Sequence, residues 1–145
     1  MTKEREKPFL FFWYREYVKQ NRLVVVCSAR SGKDKQTGTT NRLIRAANDA
    51  LKPGSKEYLE IVSALLEDHL QVAVEMIRDD EIRQQLEQDI RSDCDKLRSF
   101  LEAAQIINEI SPRSKDIIIG VGEKLSCRIV AAVLQDRVKY FRRMT

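Results

Sequence analysis

Ile82, Leu86, Ile90, Leu97, Leu101 and Ala104 recur at helical spacing. With polar residues between them, they predict an amphipathic helix of about 25 residues beginning after the polar string "RDDE". Such a stripe is hidden from water only by packing on other elements. Upstream, Leu59, Val62, Leu66, Ala73 and Met76 or Ile77 mark another helix at the same spacing, with Ser55 as its expected N-cap. The short connection between the two predicts antiparallel packing. Only five glycines and three prolines interrupt 145 residues, a scarcity that favours long helices over a many-stranded fold.

The remaining segments carry their own signals. Leu23–Cys27 is a β-branched-rich apolar run bounded by Asn21 and Ser28, which predicts a strand buried on both faces. A polar loop over 29–39 leads into "TTNRLIRAANDAL", a helix with Thr39 or Thr40 as N-cap that ends at "KPGS". Ser111 and Pro112 form a cap and first-turn pair. The following "DIIIG" reads equally as strand or helix, and a last helix is expected from about Glu123 to Arg137. Near the start, Phe9, Phe12, Trp13 and Tyr17 line one side of a short helix opened by Pro8. Leu10, Phe11 and Tyr14 make that helix apolar nearly all round, so it needs cover from a core, a second subunit or a ligand. The expected fold class is mostly α with one or few strands.

Bulk properties exclude several roles. The net charge of +4 arises from 26 basic and 22 acidic residues, interspersed except at "KEREK" and "VKYFRRM". That distribution disfavours a nucleic-acid partner. The apolar run Phe9–Tyr14 is closed by Arg15 and Glu16 and lacks a small-residue cleavage site, which argues against a secretory leader. No stretch approaches the about 20 apolar residues of a membrane span, so no membrane partner is expected and the cytoplasm is the expected location. Cys27, Cys94 and Cys127 form no close pair in the sequence and leave one over in any disulfide scheme, which fits a reducing compartment.

Few residues carry chemistry. His69, the lone histidine, has no His or Cys at i+3 or i+4 to complete a metal site and reads as a packed or surface residue. The cysteines sit in or beside apolar runs, as small core residues do. "SGK" at residues 31–33 suggests a phosphate loop, but Cys27 stands where its leading glycine belongs and Asp34 follows the lysine, so the match fails. No metal and no cofactor are expected.

The runs "RLVVVCSARSGKDKQTGTTNRLIRAA" and "DIIIGVGEKLSCRIVAAVLQDR" closely resemble the amino-terminal part of aspartokinases, the fungal form in particular. The resemblance implies a helical subdomain of an amino acid kinase lobe over 21–137, after a divergent aromatic helix over 1–20 and before a divergent basic tail over 138–145, all in one domain. It further implies that Ser28, Thr40 and Glu123 occupy the family's aspartate cleft, the hydroxyls donating hydrogen bonds and the glutamate engaging the amino group. The family's "KFGGTS" segment, where lysine and glycine amides meet ATP phosphates, has no counterpart in this sequence. Phosphoryl transfer depends almost wholly on such positioning and charge neutralisation, so these residues alone are not expected to perform it.

Three functions remain open on these grounds. The first is a repurposed lobe that binds a small apolar molecule against Phe9, Phe12, Trp13 and Tyr17, with cofactor-independent isomerisation or cyclisation as its chemistry. The second is a non-catalytic interaction protein, and the third a fragment of an ordinary aspartate kinase. A strand without neighbours leaves backbone groups unpaired, so either a homodimer that pairs it with a second copy or local refolding of the segment is expected.

Overall fold

A computed structural model of the chain describes residues 20–21, 24–32 and 37–144. Four helices follow one another: α1 (Thr39–Ala50), α2 (Glu57–Met76), α3 (Asp80–Ile107) and α4 (Pro112–Met144). Each packs on the next and α4 returns to α1, which closes the ring. Leu43, Val62, Leu65, Ile90, Leu101, Ile118 and Leu125 fill the shared core. No helix of the described residues is long and apolar enough to cross a membrane.

The mostly α expectation holds, and the details show what each boundary rests on. α3 is capped at its start by Asp79, whose carboxylate accepts a hydrogen bond from the Ile82 N–H at 3.2 Å. Its C-cap is Asn108 in the left-handed region, φ 56°, a conformation asparagine tolerates better than most side chains. α4 begins as its sequence suggests, with the Ser114 N–H donating to the Ser111 hydroxyl at 3.1 Å and Pro112 in the first turn.

Four expectations need correction. Val24 and Val26 are 89% and 92% exposed, and residues 24–32 form no strand. A strand is a pairing, and the described residues offer this segment no partner. "DIIIG" is helical and belongs to α4, so the helix opened at Pro112 and the last helix expected from about Glu123 are one continuous helix. Helical spacing turns Ile118 into the core and leaves Ile117 exposed, so one isoleucine of the run suffices to anchor it. The N-cap of α1 is Gly38, not Thr39 or Thr40. The Thr39 N–H is met from outside, by the Arg30 carbonyl at 3.0 Å.

The fourth correction concerns the cap of α2. Ser55 does not cap it directly but donates to the Asp49 carboxylate at 2.9 Å, and the same carboxylate accepts the Tyr58 N–H at 2.9 Å. Asp49, buried at the end of α1, therefore caps the next helix. Burial pushes its carboxyl up, but bonds from Ser55, Lys52 and Tyr58 outweigh this and hold it below the usual range. We expect Asp49→Ala to cost about 2 kcal/mol in urea unfolding and Ser55→Ala about half as much. Equal costs would show that the serine, not the carboxylate, organises the junction. The aromatic helix over Phe9, Phe12, Trp13 and Tyr17 lies outside the described residues.

Candidate functional site

Gly122 is buried inside α4, and its missing side chain sets the geometry of the site. A Cβ there would lie 3.0 Å from the Ala29 methyl, 3.0 Å from the Thr39 methyl and 3.3 Å from Leu43 Cδ1. Glycine in a helix interior costs about 0.5–1 kcal/mol relative to alanine, so its use here reflects the close approach of two other segments. The loop before α1, the first turn of α1 and the first third of α4 meet at that point.

Ser28, Thr40 and Glu123 are the immediate chain neighbours of Ala29, Thr39 and Gly122. Each is thus one Cα step, about 3.8 Å, from a residue at the junction. The fold brings together the backbones of three positions separated by up to 95 residues in sequence, from Ser28 to Glu123. Ser28 is exposed, while Thr40 and Glu123 are half-buried. Solvent therefore reaches this edge.

Beside the junction lies an open groove of about 660 Å³ whose lining includes Arg30, Thr39, Arg42, Asp68 and His69. The Arg42 guanidinium pairs with the Asp68 carboxylate, and Arg30 donates to the Asp68 carbonyl at 3.2 Å. These bonds fix the loop across α1 and α2. His69 is 1% exposed and contacts the Leu65 carbonyl through Nδ1 at 2.7 Å. A carbonyl only accepts, so Nδ1 carries the proton and Nε2 is left as a buried acceptor with no partner among the described residues. Burial first, then the charges of Arg30 and Arg42, hold the imidazole pKa down and keep it neutral, although the Leu65 contact and Asp68 pull the other way. Among the described residues, no group of His, Cys, Asp and Glu could hold a metal ion.

The orientation of α4 is set from α3. Asp93, 3% exposed, accepts from Lys124 Nζ at 2.8 Å and from Arg128 Nε at 2.6 Å, and Arg128 also reaches Asp89 at 2.7 Å. Lys124 adjoins Glu123, so this clamp fixes the rotation that turns Gly122 toward α1. At the far end of α4, Asp136 accepts the N–H groups of Arg78 and Asp79 at 3.2 and 2.8 Å, which ties α4 to the α2–α3 link.

The resemblance to aspartokinases pointed to Ser28, Thr40 and Glu123, and the sequence reading missed Gly122, Arg30, Arg42 and the depth of His69. An isolated glycine within a helical pattern is a recognised sign of close backbone approach, and Gly122 carried that sign. The cysteines divide. Cys94 is a buried core residue as expected, whereas Cys127 is exposed and Cys27 half-buried.

No protein-family model matches the chain. It is 43% identical to an aspartokinase of Schizosaccharomyces pombe over 123 residues, which is 85% of this chain and 24% of that protein. It is 47% identical to an aspartokinase of Candida albicans over 120 residues, 83% of this chain and 22% of that protein. The Saccharomyces cerevisiae aspartokinase is 32% identical over 117 residues, 81% of this chain and 22% of that protein. The chain thus spans about a quarter of the length of the curated relatives it matches. With most of its length matched at these identities and its helices built around the motifs that carry the likeness, the chain is a homologue of a segment of the fungal aspartokinases.

Proposed function

We propose that this chain forms the amino-acid side of an aspartate kinase cleft and holds L-aspartate between Ser28, Thr40 and Glu123. The observation that supports this reading is the meeting of Ala29, Thr39 and Gly122, which gathers the three positions at a solvent-reached edge. Hydroxyls of Ser28 and Thr40 donate to a carboxylate of the ligand, and the Glu123 carboxylate accepts from its ammonium group. These residues position an amino acid; they supply no charge neutralisation for a transferred phosphoryl group.

The charged lining of the groove beside this edge favours a polar ligand over an apolar one. A repurposed binder or isomerase would draw its apolar wall from Phe9, Phe12, Trp13 and Tyr17, outside the described residues. A second reading, self-association without catalysis, is favoured by the exposed Val24–Val26 segment, which a second copy could pair and cover.

Titration calorimetry of the purified chain with L-aspartate, with light scattering on the same sample, tests both readings. Saturable aspartate binding that Glu123→Gln weakens about tenfold, with no comparable heat from succinate, is the expected result, because succinate lacks the ammonium group. A folded protein that gives no aspartate heat overturns the aspartate reading, and a monomer at every concentration overturns self-association.

A further inference from the structure

His69 carries one unsatisfied polar atom in the wall of the groove formed by the loop before α1, by α1 and by α2. Its Nδ1 proton is committed to the Leu65 carbonyl at 2.7 Å, one turn back along α2, so Nε2 lies on the edge of the ring turned away from that carbonyl. His69 is 1% exposed, and its Nε2 is an acceptor with no partner among the described residues. Leaving a buried acceptor without a donor is unfavourable, and a ligand that brings a donor removes the penalty.

Cations gather at the same place. Arg30 and Arg42 both reach Asp68, the residue before His69: Arg30 donates to its backbone carbonyl at 3.2 Å and Arg42 pairs with its carboxylate. Arg42 is thereby neutralised, and Arg45, further along α1, pairs with Glu57 at 3.0 Å. Arg30 meets no carboxylate among the described residues, so it brings an uncompensated charge to the groove. Glu75, the other acid of the lining, accepts from Gln71 at 3.1 Å and stands six residues beyond His69, about 9 Å along α2. α1 adds its positive end: Thr39, its first residue, lines the groove, and its first turn has neither an acidic residue nor a side-chain cap.

We propose that this groove binds hydrogen phosphate, or an oxyanion of the same kind that keeps a proton near neutrality, with Arg30 donating to its charged oxygens and His69 Nε2 accepting its O–H. The site uses none of Ser28, Thr40 and Glu123 and stands independently of the aspartate reading. Arg30 is exposed and held by one bond to a backbone oxygen, which lets it turn onto an incoming anion. Nε2 is closed off from solvent, so a small parting of the lining belongs to binding. The neutral imidazole sets the selection. An oxyanion without a proton turns its lone pairs toward the lone pair of Nε2, whereas hydrogen phosphate satisfies it. Sulfate, with the same charge for Arg30, is therefore disfavoured.

His69 is the lone histidine, so the full chain gives a single pair of imidazole nitrogen resonances. These are followed as phosphate, and separately sulfate, is added at constant ionic strength in mildly alkaline buffer, where both anions are chiefly doubly charged and differ in the proton. The expected result is a saturable upfield shift of Nε2 with phosphate, Nδ1 staying protonated, and binding of sulfate at least about tenfold weaker. Arg30→Gln should weaken phosphate about tenfold. His69→Phe removes the acceptor and should bind the two anions within about twofold of each other. An Nε2 resonance that phosphate does not move, or equal affinities of the wild type for phosphate and sulfate, overturns the inference. If His69→Phe fails to fold, the wild-type comparison decides the matter alone.

Discussion

Asp93→Ala is expected to lower the melting temperature by about 6–9 °C, equivalent to about 2–3 kcal/mol. The carboxylate is almost wholly buried, yet the Lys124 side chain is 52% exposed and that of Arg128 30%. Both cations can turn to water when the acid is removed, so the cost falls below that of a fully enclosed pair. Burial alone would raise the Asp93 carboxyl; bonds and charges from Lys124 and Arg128 outweigh it and hold it below the usual carboxylate range. A depressed carboxyl contributes stability that is fully present above its unfolded pKa and disappears as pH falls through the folded one. The difference between wild type and Asp93→Asn should therefore be largest near neutrality and shrink from about pH 5 downward. Thermal melts at several pH values read this directly. A variant that melts within 1 °C of wild type at neutral pH would show that α4 is held by apolar packing alone.

Gly122→Leu is expected to cost about 3 kcal/mol in denaturant and, on the proposed reading of the site, to weaken aspartate binding more than tenfold. The new side chain has to enter a space where even a Cβ meets Ala29 and Thr39 at 3.0 Å. Separation of α1 from α4 then pulls Ser28 and Thr40 away from Glu123. Gly122→Ala is the useful control. Its gain of about 0.5–1 kcal/mol in helix propensity opposes the tight contacts, and a net change near zero is expected. Gly120, one face away, has nothing within 4 Å of a built Cβ, so Gly120→Ala should stabilise. Equal effects at the two glycines would mean that close approach does not govern the site.

The helices were legible because their signals are local. Apolar residues at Ile82, Leu86, Ile90, Leu97 and Leu101 repeat within one face, and four of those five are less than 4% exposed. Ser111 with Pro112 announced the start of α4. Where a cap came from elsewhere, the same logic failed: Asp49 serves α2 across a turn, and Asp136 serves the α2–α3 link from 57 residues away. Ser55 looked like a cap and proved to be the partner of one.

Val24–Val26 failed for a related reason. β-branched residues state a preference for a pleated surface, but a strand exists only where another strand meets it. Of the site, Ser28, Thr40 and Glu123 were legible only through the resemblance to aspartokinases, whereas nothing local reveals that their neighbours touch. His69 shows the same limit, since depth belongs to the packing around a residue and not to the residue.

Helix positions, their inward faces and the likeness to aspartokinases follow from neighbours a few residues apart, because backbone hydrogen bonds and apolar periodicity act over single turns. Which polar groups satisfy one another and how closely α1 nears α4 depend on contacts between residues tens of positions apart. Those contacts are selected together when the core closes, since each one fixes distances that the others must share.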